Sequence, residues 1–164
     1  MPIITNEDNF GIPLILIWLF MLFFSGKRGK IAAILILIAF AITDLIAAQY
    51  IKPLVGRLRP SHALTDSINL LVGKGGQYSF VSNHAANTMA IATIIGYFYV
   101  KWRSLVIAIS LIIGFSRIYV GVHYPFDVLG GWIFGYIVAW IVLSIWVLLK
   151  IRELKKGHTW VNYT

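Results

Sequence analysis

Three short clusters in this sequence hold residue types suited to transferring a phosphoryl group. Lys52 and Arg59-Pro60 form the first, Ser82-Asn83-His84 the second, and Ser116-Arg117 with His123 and Asp127 the third. Together they offer three cations, two imidazoles, one carboxylate and several small hydrogen-bond donors. Arginine forks and a lysine ammonium satisfy the anionic oxygens of phosphate with charge-assisted hydrogen bonds. Backbone N–H groups at a helix start, expected over Ser82 to His84, add further donors for an anion. Two histidines supply both a nucleophile and an acid.

His123 and Asp127 stand four residues apart, within reach across one helical turn. A carboxylate on one ring nitrogen fixes the tautomer and leaves the other nitrogen free to attack phosphorus. That is the logic of a catalytic triad without its serine. His84 would then protonate the departing alkoxide oxygen, while Lys52, Arg59 and Arg117 stabilise charge on the equatorial oxygens. Water would hydrolyse the resulting phosphohistidine.

The chain that must position these residues is 59% hydrophobic and only 12% charged over 164 residues. That charged fraction is about half that of a soluble domain, and long apolar runs recur. The reading is therefore all-α: a polytopic membrane helix bundle, one membrane-embedded domain over residues 1–164. About five transmembrane helices are expected, from the runs Phe10–Phe24, Ile31–Tyr50, Ala85–Val100, Leu105–Ile118 and Pro125–Leu149. The first run reaches only about 22 Å, short of the roughly 30 Å hydrocarbon core; it either spans with local thinning of the bilayer, the reading taken here, or lies partly in the interface. Pro125 suits the first turn of a helix. Between spans two and three, from Ile51 to about Phe80, the chain is polar and leaves the membrane as a loop. Within it Ser67–Val72 reads as a short interfacial helix, a sixth helix if counted, before the turn Gly73-Lys74-Gly75-Gly76. Gly26–Lys30 and Lys101–Arg103 read as basic turns, and the chain from Lys150 onward as a polar, basic tail.

Five spans place both basic turns and the Lys150–Lys156 tail on one face. Those segments hold nine of the fourteen basic residues, so the positive-inside bias makes that face cytoplasmic and puts the motif-bearing loops outside. Lys52, Arg57, Arg59, Lys74 and Arg117 stay outside against the bias; cations kept there need a reason, and an anionic ligand is a good one. The N-terminal stretch has acids and no Lys or Arg, so no cleaved secretory signal is expected. The formal charge of +8 does not indicate nucleic acid, because no basic tract or binding motif accompanies it and many basic residues flank apolar spans. With no cysteine in the chain, a thiolate nucleophile, a disulfide framework and a cysteine-ligated zinc site are excluded.

The order Lys52-x6-Arg59-Pro60, Ser82-x-His84, Ser116-Arg117-x5-His123-x3-Asp127 resembles the signature of the type 2 phosphatidic acid phosphatase family, which is related to the vanadium haloperoxidases. Any one piece is a weak signal; the three together, in order and between the right spans, are a strong one. The resemblance covers about half of the chain. It implies metal-independent hydrolysis of a lipid phosphate through a phosphohistidine, without a cofactor. It assigns His123 as nucleophile, Asp127 as its orienting acid and His84 as general acid, with Lys52, Arg59, Ser82, Asn83 and Arg117 holding the phosphoryl group. In one respect this chain departs from the family. The middle motif usually reads Pro-Ser-Gly-His, and here it is Val81-Ser82-Asn83-His84. Asparagine is among the few residues that tolerate positive φ, so the Asn83 N–H is expected to keep the glycine's role, with consequences for substrate preference rather than mechanism.

The substrate classes consistent with this reading are phosphatidylglycerol phosphate, phosphatidic acid, undecaprenyl diphosphate and the 1-phosphate of lipid A. The expected setting is a bacterial inner membrane with the site facing the periplasm or exterior, and no obligate protein partner. Two alternatives stand beside it: a lipid phosphotransferase that uses the same phosphohistidine, and a non-catalytic lipid-phosphate binder. Outside the motifs, Arg57 and Lys74 read equally as solvated loop cations or as headgroup contacts. His62 and His158 read as solvent-exposed and inert. Asp44, an acid inside the second span, reads as structural support for a motif residue or a neighbouring span.

Overall fold

The computed structural model describes residues 7–63, 73 and 75–162. Among them there are five long helices and no strands: α1 (Glu7–Phe24), α2 (Gly26–Ile46), α3 (Asn83–Phe98), α4 (Arg103–Tyr119) and α5 (Pro125–Lys155). A π-helical turn, Ala47–Ile51, carries α2 on into a last helical turn, Lys52–Val55. The polar loop that follows contains one helical turn, Pro60–Ala63, and an isolated antiparallel bridge between Leu58 and Tyr78. The proposed interfacial helix at Ser67–Val72, and Lys74, lie outside the described residues.

α3 is the central helix, packed against α2, α4 and α5, while α1 packs on α2. This placement explains why the third apolar run is thin in hydrophobicity. Its residues Ala85, Ala86, Ala90, Ala92, Ile94, Gly96 and Phe98 are buried against other helices, so it faces protein rather than lipid. Small residues let backbones approach closely, the usual basis of helix association inside a membrane. Gly135 of α5 is the extreme case: a Cβ there would stand 2.0 Å from the Ala86 carbonyl oxygen. Three helical stretches are long and apolar enough to cross a membrane by themselves, namely Gly26–Val55, Val100–Tyr119 and Pro125–Lys155. Gly11–Phe24 is apolar but shorter, and α3, at 16 residues, is about 24 Å long. The five expected spans thus exist as helices, but only three qualify on length and composition.

The apolar core fills one half of the bundle. Leu35, Ile36 and Ala39 of α2 meet Ala90, Ile94 and Phe98 of α3 and Val138, Val142, Leu143 and Trp146 of α5. Two boundaries differ from the sequence reading. Gly26–Lys30, expected as a turn, is the first turn of α2, because the reversal needs only Ser25 and Gly26. The basic tail is not a free polar segment either. α5 runs to Lys155, the chain turns at Gly157, and Val161 returns to the core beside an edge-to-face pair of Trp146 and Trp160.

Candidate active site

At the other half of the bundle four helix ends converge: the C-terminal ends of α2 and α4 and the N-terminal ends of α3 and α5. Each end brings one piece of the predicted set. The extended α2 supplies Lys52, and the loop after it Arg57 and Arg59. α3 begins at Asn83, with Ser82 as its N-cap and His84 in its first turn. α4 ends on the buried Ser116 and Arg117. His123 lies in the α4–α5 connection, and Asp127 in the first turn of α5 behind Pro125.

Asp127 is the hub, fully buried. A carboxylate can persist there only if its oxygens are hydrogen-bonded. Arg57 Nη1 donates to Oδ1 at 3.1 Å, and the Tyr124 N–H donates to Oδ2 at 2.8 Å. Ser79 Oγ donates to Oδ2 as well. The backbone is joined in turn, since the Ser82 N–H donates to the Asp127 carbonyl at 2.9 Å. One residue therefore ties the polar loop, the start of α3 and the start of α5 together.

His123 is buried, and its Nδ1 faces Asp127 Oδ2 at 3.7 Å. That is the separation of a charge neighbour; a hydrogen bond is shorter. Ser79 and Tyr124 already occupy that oxygen, which accounts for the gap. Burial holds the His123 imidazole below the ordinary histidine range. Asp127 pulls the other way, and Arg59 and Arg117 reinforce the lowering. The ring is thus neutral near pH 7, the form that can act as a nucleophile.

The cations surround the second histidine. Arg117, His123, Arg59 and Lys52 all stand close enough to His84 to act on it electrostatically. Arg59 is held by its Nε–H bond to the Tyr78 carbonyl at 3.1 Å and lies against Gly75, where a Cβ would come within 2.4 Å of Nη1. Gly75 has φ +65°, a backbone conformation that favours glycine. The two histidines and three of the predicted cations are brought together at one end. Ser82 and Asn83 are at the same end with their side chains engaged elsewhere: Ser82 Oγ faces the Ala85 N–H at 3.5 Å, and Asn83 Nδ2 donates to Asp44 Oδ1 at 2.6 Å. The positive φ expected for Asn83 is not found, because the residue has become the first residue of α3 and all positive-φ positions among the described residues are glycines.

Two residues of the site were not assigned from sequence. Arg57, taken equally for a solvated cation, bonds Asp127 and packs over the rings of Phe80 and Tyr124 at 5.9 and 5.8 Å. Ser79 belongs to no motif, though it is buried on the same carboxylate. The only available signal was for Arg57, as one of the basic residues left on the outer face against the charge bias. His62 is half-buried, its Nε2 3.4 Å from the Gly75 carbonyl. His158 pairs with Glu153 at the far end of the bundle.

The model of the PAP2 superfamily matches residues 30–150 of this chain. Lipid A 4'-phosphatase of Bacteroides thetaiotaomicron is 36% identical over 121 residues, covering 70% of this chain and 53% of that protein. Phosphatidylglycerophosphatase B of Bacillus subtilis is 32% identical over 148 residues, covering 84% of this chain and 68% of that protein. Among solved structures, the transmembrane PAP2-type phosphatidylglycerolphosphate phosphatase from Bacillus subtilis superposes with a TM-score of 0.63 at 27% identity. That match covers 83% of this chain and 68% of the other. The chain spans only about half the length of the first of these relatives.

Proposed function

This chain belongs to the PAP2 superfamily, and we propose that it is a membrane-embedded phosphatase that hydrolyses a phosphate ester or pyrophosphate of a membrane lipid. The observation that carries the proposal is the joining of the polar loop, the start of α3 and the start of α5 at Asp127, with His123 beside it and His84 among the cations. Lipid-phosphate phosphatases among the relatives support the substrate class.

With Nδ1 turned toward Asp127, Nε2 of the neutral His123 attacks phosphorus. The bond from phosphorus to the lipid oxygen breaks, and His84 delivers its proton to that oxygen. Lys52, Arg59 and Arg117 hold the equatorial oxygens as charge spreads over them. Water then attacks the phosphohistidine, His84 takes a proton from it, the P–N bond breaks and inorganic phosphate leaves. The N-terminal end of α3 adds its dipole and N–H groups to the anion's surroundings.

We further infer that the site faces away from the cytoplasm in a bacterial inner membrane. Lys27, Arg28, Lys30, Lys101, Arg103 and the Lys150–Lys156 stretch belong to the opposite end of the bundle, the end that positive-inside bias keeps cytoplasmic. Because the chain has no cysteine, Gln77→Cys gives a single thiol at the site end. A membrane-impermeant thiol reagent added to intact cells is expected to label it, and labelling only after lysis would reverse the orientation. The activity itself is tested by phosphate release from a panel of lipid phosphates in detergent, with chelator present and no acceptor added. Release is expected from at least one of them. Silence across the panel, or a requirement for added divalent metal, would refute the proposed chemistry.

A further inference from the structure

The Asn83 side chain is not spent on its hydrogen bond to Asp44. Nδ2 donates to Asp44 Oδ1 at 2.6 Å, while the other arm of the amide, Oδ1, is buried and has no hydrogen-bond partner. A carboxylate accepts and does not donate, so Asp44 fixes which way the amide faces. Asp44 is on the exposed side of α2, and the oxygen is therefore the inner arm. Asn83 lies between Ser82, whose N–H is bonded to the Asp127 carbonyl, and His84. The result is a desolvated acceptor in the first turn of α3, one residue from His84, whose charged neighbours include Arg117, Arg59 and Lys52.

An acceptor in that position is poorly placed for a phosphate oxygen, which brings only more negative charge. It suits a donor, and leaving such a group unpaired in a buried site costs about 1–3 kcal/mol. We propose that Asn83 Oδ1 is a specificity determinant that accepts a hydrogen bond from a hydroxyl or N–H on the carbon skeleton next to the scissile phosphate, with Asp44 as the residue that orients the amide. A sugar phosphate or a hydroxylated glycerol phosphate offers such a donor; a polyprenyl phosphate does not. This rests on the phosphatase reading and extends it to the leaving group.

The test compares two lipids in mixed micelles. One is a single-chain acylglycerol phosphate with its free secondary hydroxyl; the other is the same lipid with hydrogen in place of that hydroxyl. The wild-type protein is expected to favour the hydroxylated lipid about ten- to hundred-fold in kcat/KM, the factor that corresponds to one unpaired buried acceptor. Asn83→Gly is expected to bring the ratio close to one, since glycine retains the backbone N–H and removes the acceptor. Asp44→Ala is expected to lower the ratio as well, and Asp44→Asn to restore it, because an amide oxygen can still accept from Nδ2.

The failures are separable. If the wild type hydrolyses neither lipid nor any other lipid phosphate, the phosphatase reading fails and this inference falls with it. If it hydrolyses both at equal rates, or if the ratio survives in Asn83→Gly, the phosphatase reading stands and the assignment of Asn83 is overturned. A third outcome concerns the phosphate's own P–OH as donor. Asn83→Gly would then slow both lipids alike, with an effect that fades as pH rises through the second phosphate pKa of about 6, and that also overturns the leaving-group assignment.

Discussion

At the site end of the bundle, polar side chains find partners far away in sequence. Arg57 and Ser79 reach Asp127, and Asn83 reaches Asp44 across the α2–α3 seam. At the opposite end Arg28 of α2 also crosses to the end of α3, over the Tyr99 ring at 5.8 Å, but the acid there pairs at short range. Glu153 holds Lys156 at 3.2 Å and His158 at 2.7 Å, both within a turn or two of chain, and Arg103 Nε donates to the Gly96 carbonyl at 3.2 Å. In the orientation proposed above, the cations of that end mark the cytoplasmic face. Those of the site end are organised around a carboxylate that has no access to solvent. Both ends are charged, so charge alone does not identify a site in a membrane protein. Burial combined with long-range pairing does.

The comparison is broken most directly at His123. His123→Ala removes the proposed nucleophile and leaves the cations in place, so phosphate release from a hydrolysed lipid is expected to fall by about 10⁴-fold. Binding of the lipid should change far less. A variant that retained wild-type turnover would mean that the buried end holds its charges for some other purpose.

Asp127→Asn comes next, because it removes one charge and weakens several bonds together. A loss of about 10²- to 10⁴-fold in kcat is expected, with about 1–3 kcal/mol lost from stability as the Ser79 and Arg57 contacts degrade. The pH profile gives a sharper reading. In the proposed mechanism His123 attacks in its neutral form, and burial keeps its pKa below the ordinary value near 6.5, so the acid limb of kcat/KM should lie below that pH. Asp127 raises this pKa while burial, Arg59 and Arg117 lower it. Removing the carboxylate charge should therefore shift the limb to still lower pH. A shift upward would show that Asp127 does not act on His123 in the way proposed.

The residues that the sequence made visible are those with short-range spacing. His123 and Asp127 are one turn apart, Ser82 to His84 are contiguous, and Arg117 sits at the end of an apolar run, so their types and order sufficed. Arg57 and Ser79 were out of reach because their meaning lies in a partner 70 and 48 residues away, and nothing in the local pattern separates Arg57 from any loop cation. The helices followed the same division. Hydropathy located all five, but it could not say that α3 is weakly apolar because it is the inner helix. Nor could it say that the tail returns Val161 to the core, since one valine in a polar segment carries no periodic signal. Asn83 was recognised as a departure, yet its consequence depended on Asp44, an acid that hydropathy could only mark as unusual.

Arg57 tests how far burial matters within the site end itself. Its carboxylate partner is fully buried, but the arginine side chain is 45% exposed. Solvent screening weakens its hold, and its packing over Phe80 and Tyr124 adds a modest contribution. Arg57→Ala is expected to reduce kcat/KM by about tenfold, well short of the Asp127 variant. Arg57→Lys should recover only part of that, since lysine keeps the charge but not the planar stack. A loss as large as that of Asp127→Asn would mean that Arg57 touches the phosphoryl group directly.

The smallest effect is expected at the opposite end, where it bears most on the comparison. Glu153 has no fewer side-chain partners than the two that donate to Asp127, so partners alone would not rank Asp127 above it. Physics ranks them apart. Lys156 and His158 are about half-exposed, Glu153 is partly open to solvent, and water and salt replace each lost contact almost in kind. Glu153→Gln should leave kcat/KM within about twofold of wild type and the melting temperature nearly unchanged, at low and at high salt. A large loss of activity in this variant, with the fold intact, would tie the basic tail to the chemistry at the other end of the helices. The division of the bundle into an anchoring end and a working end would then have to be abandoned.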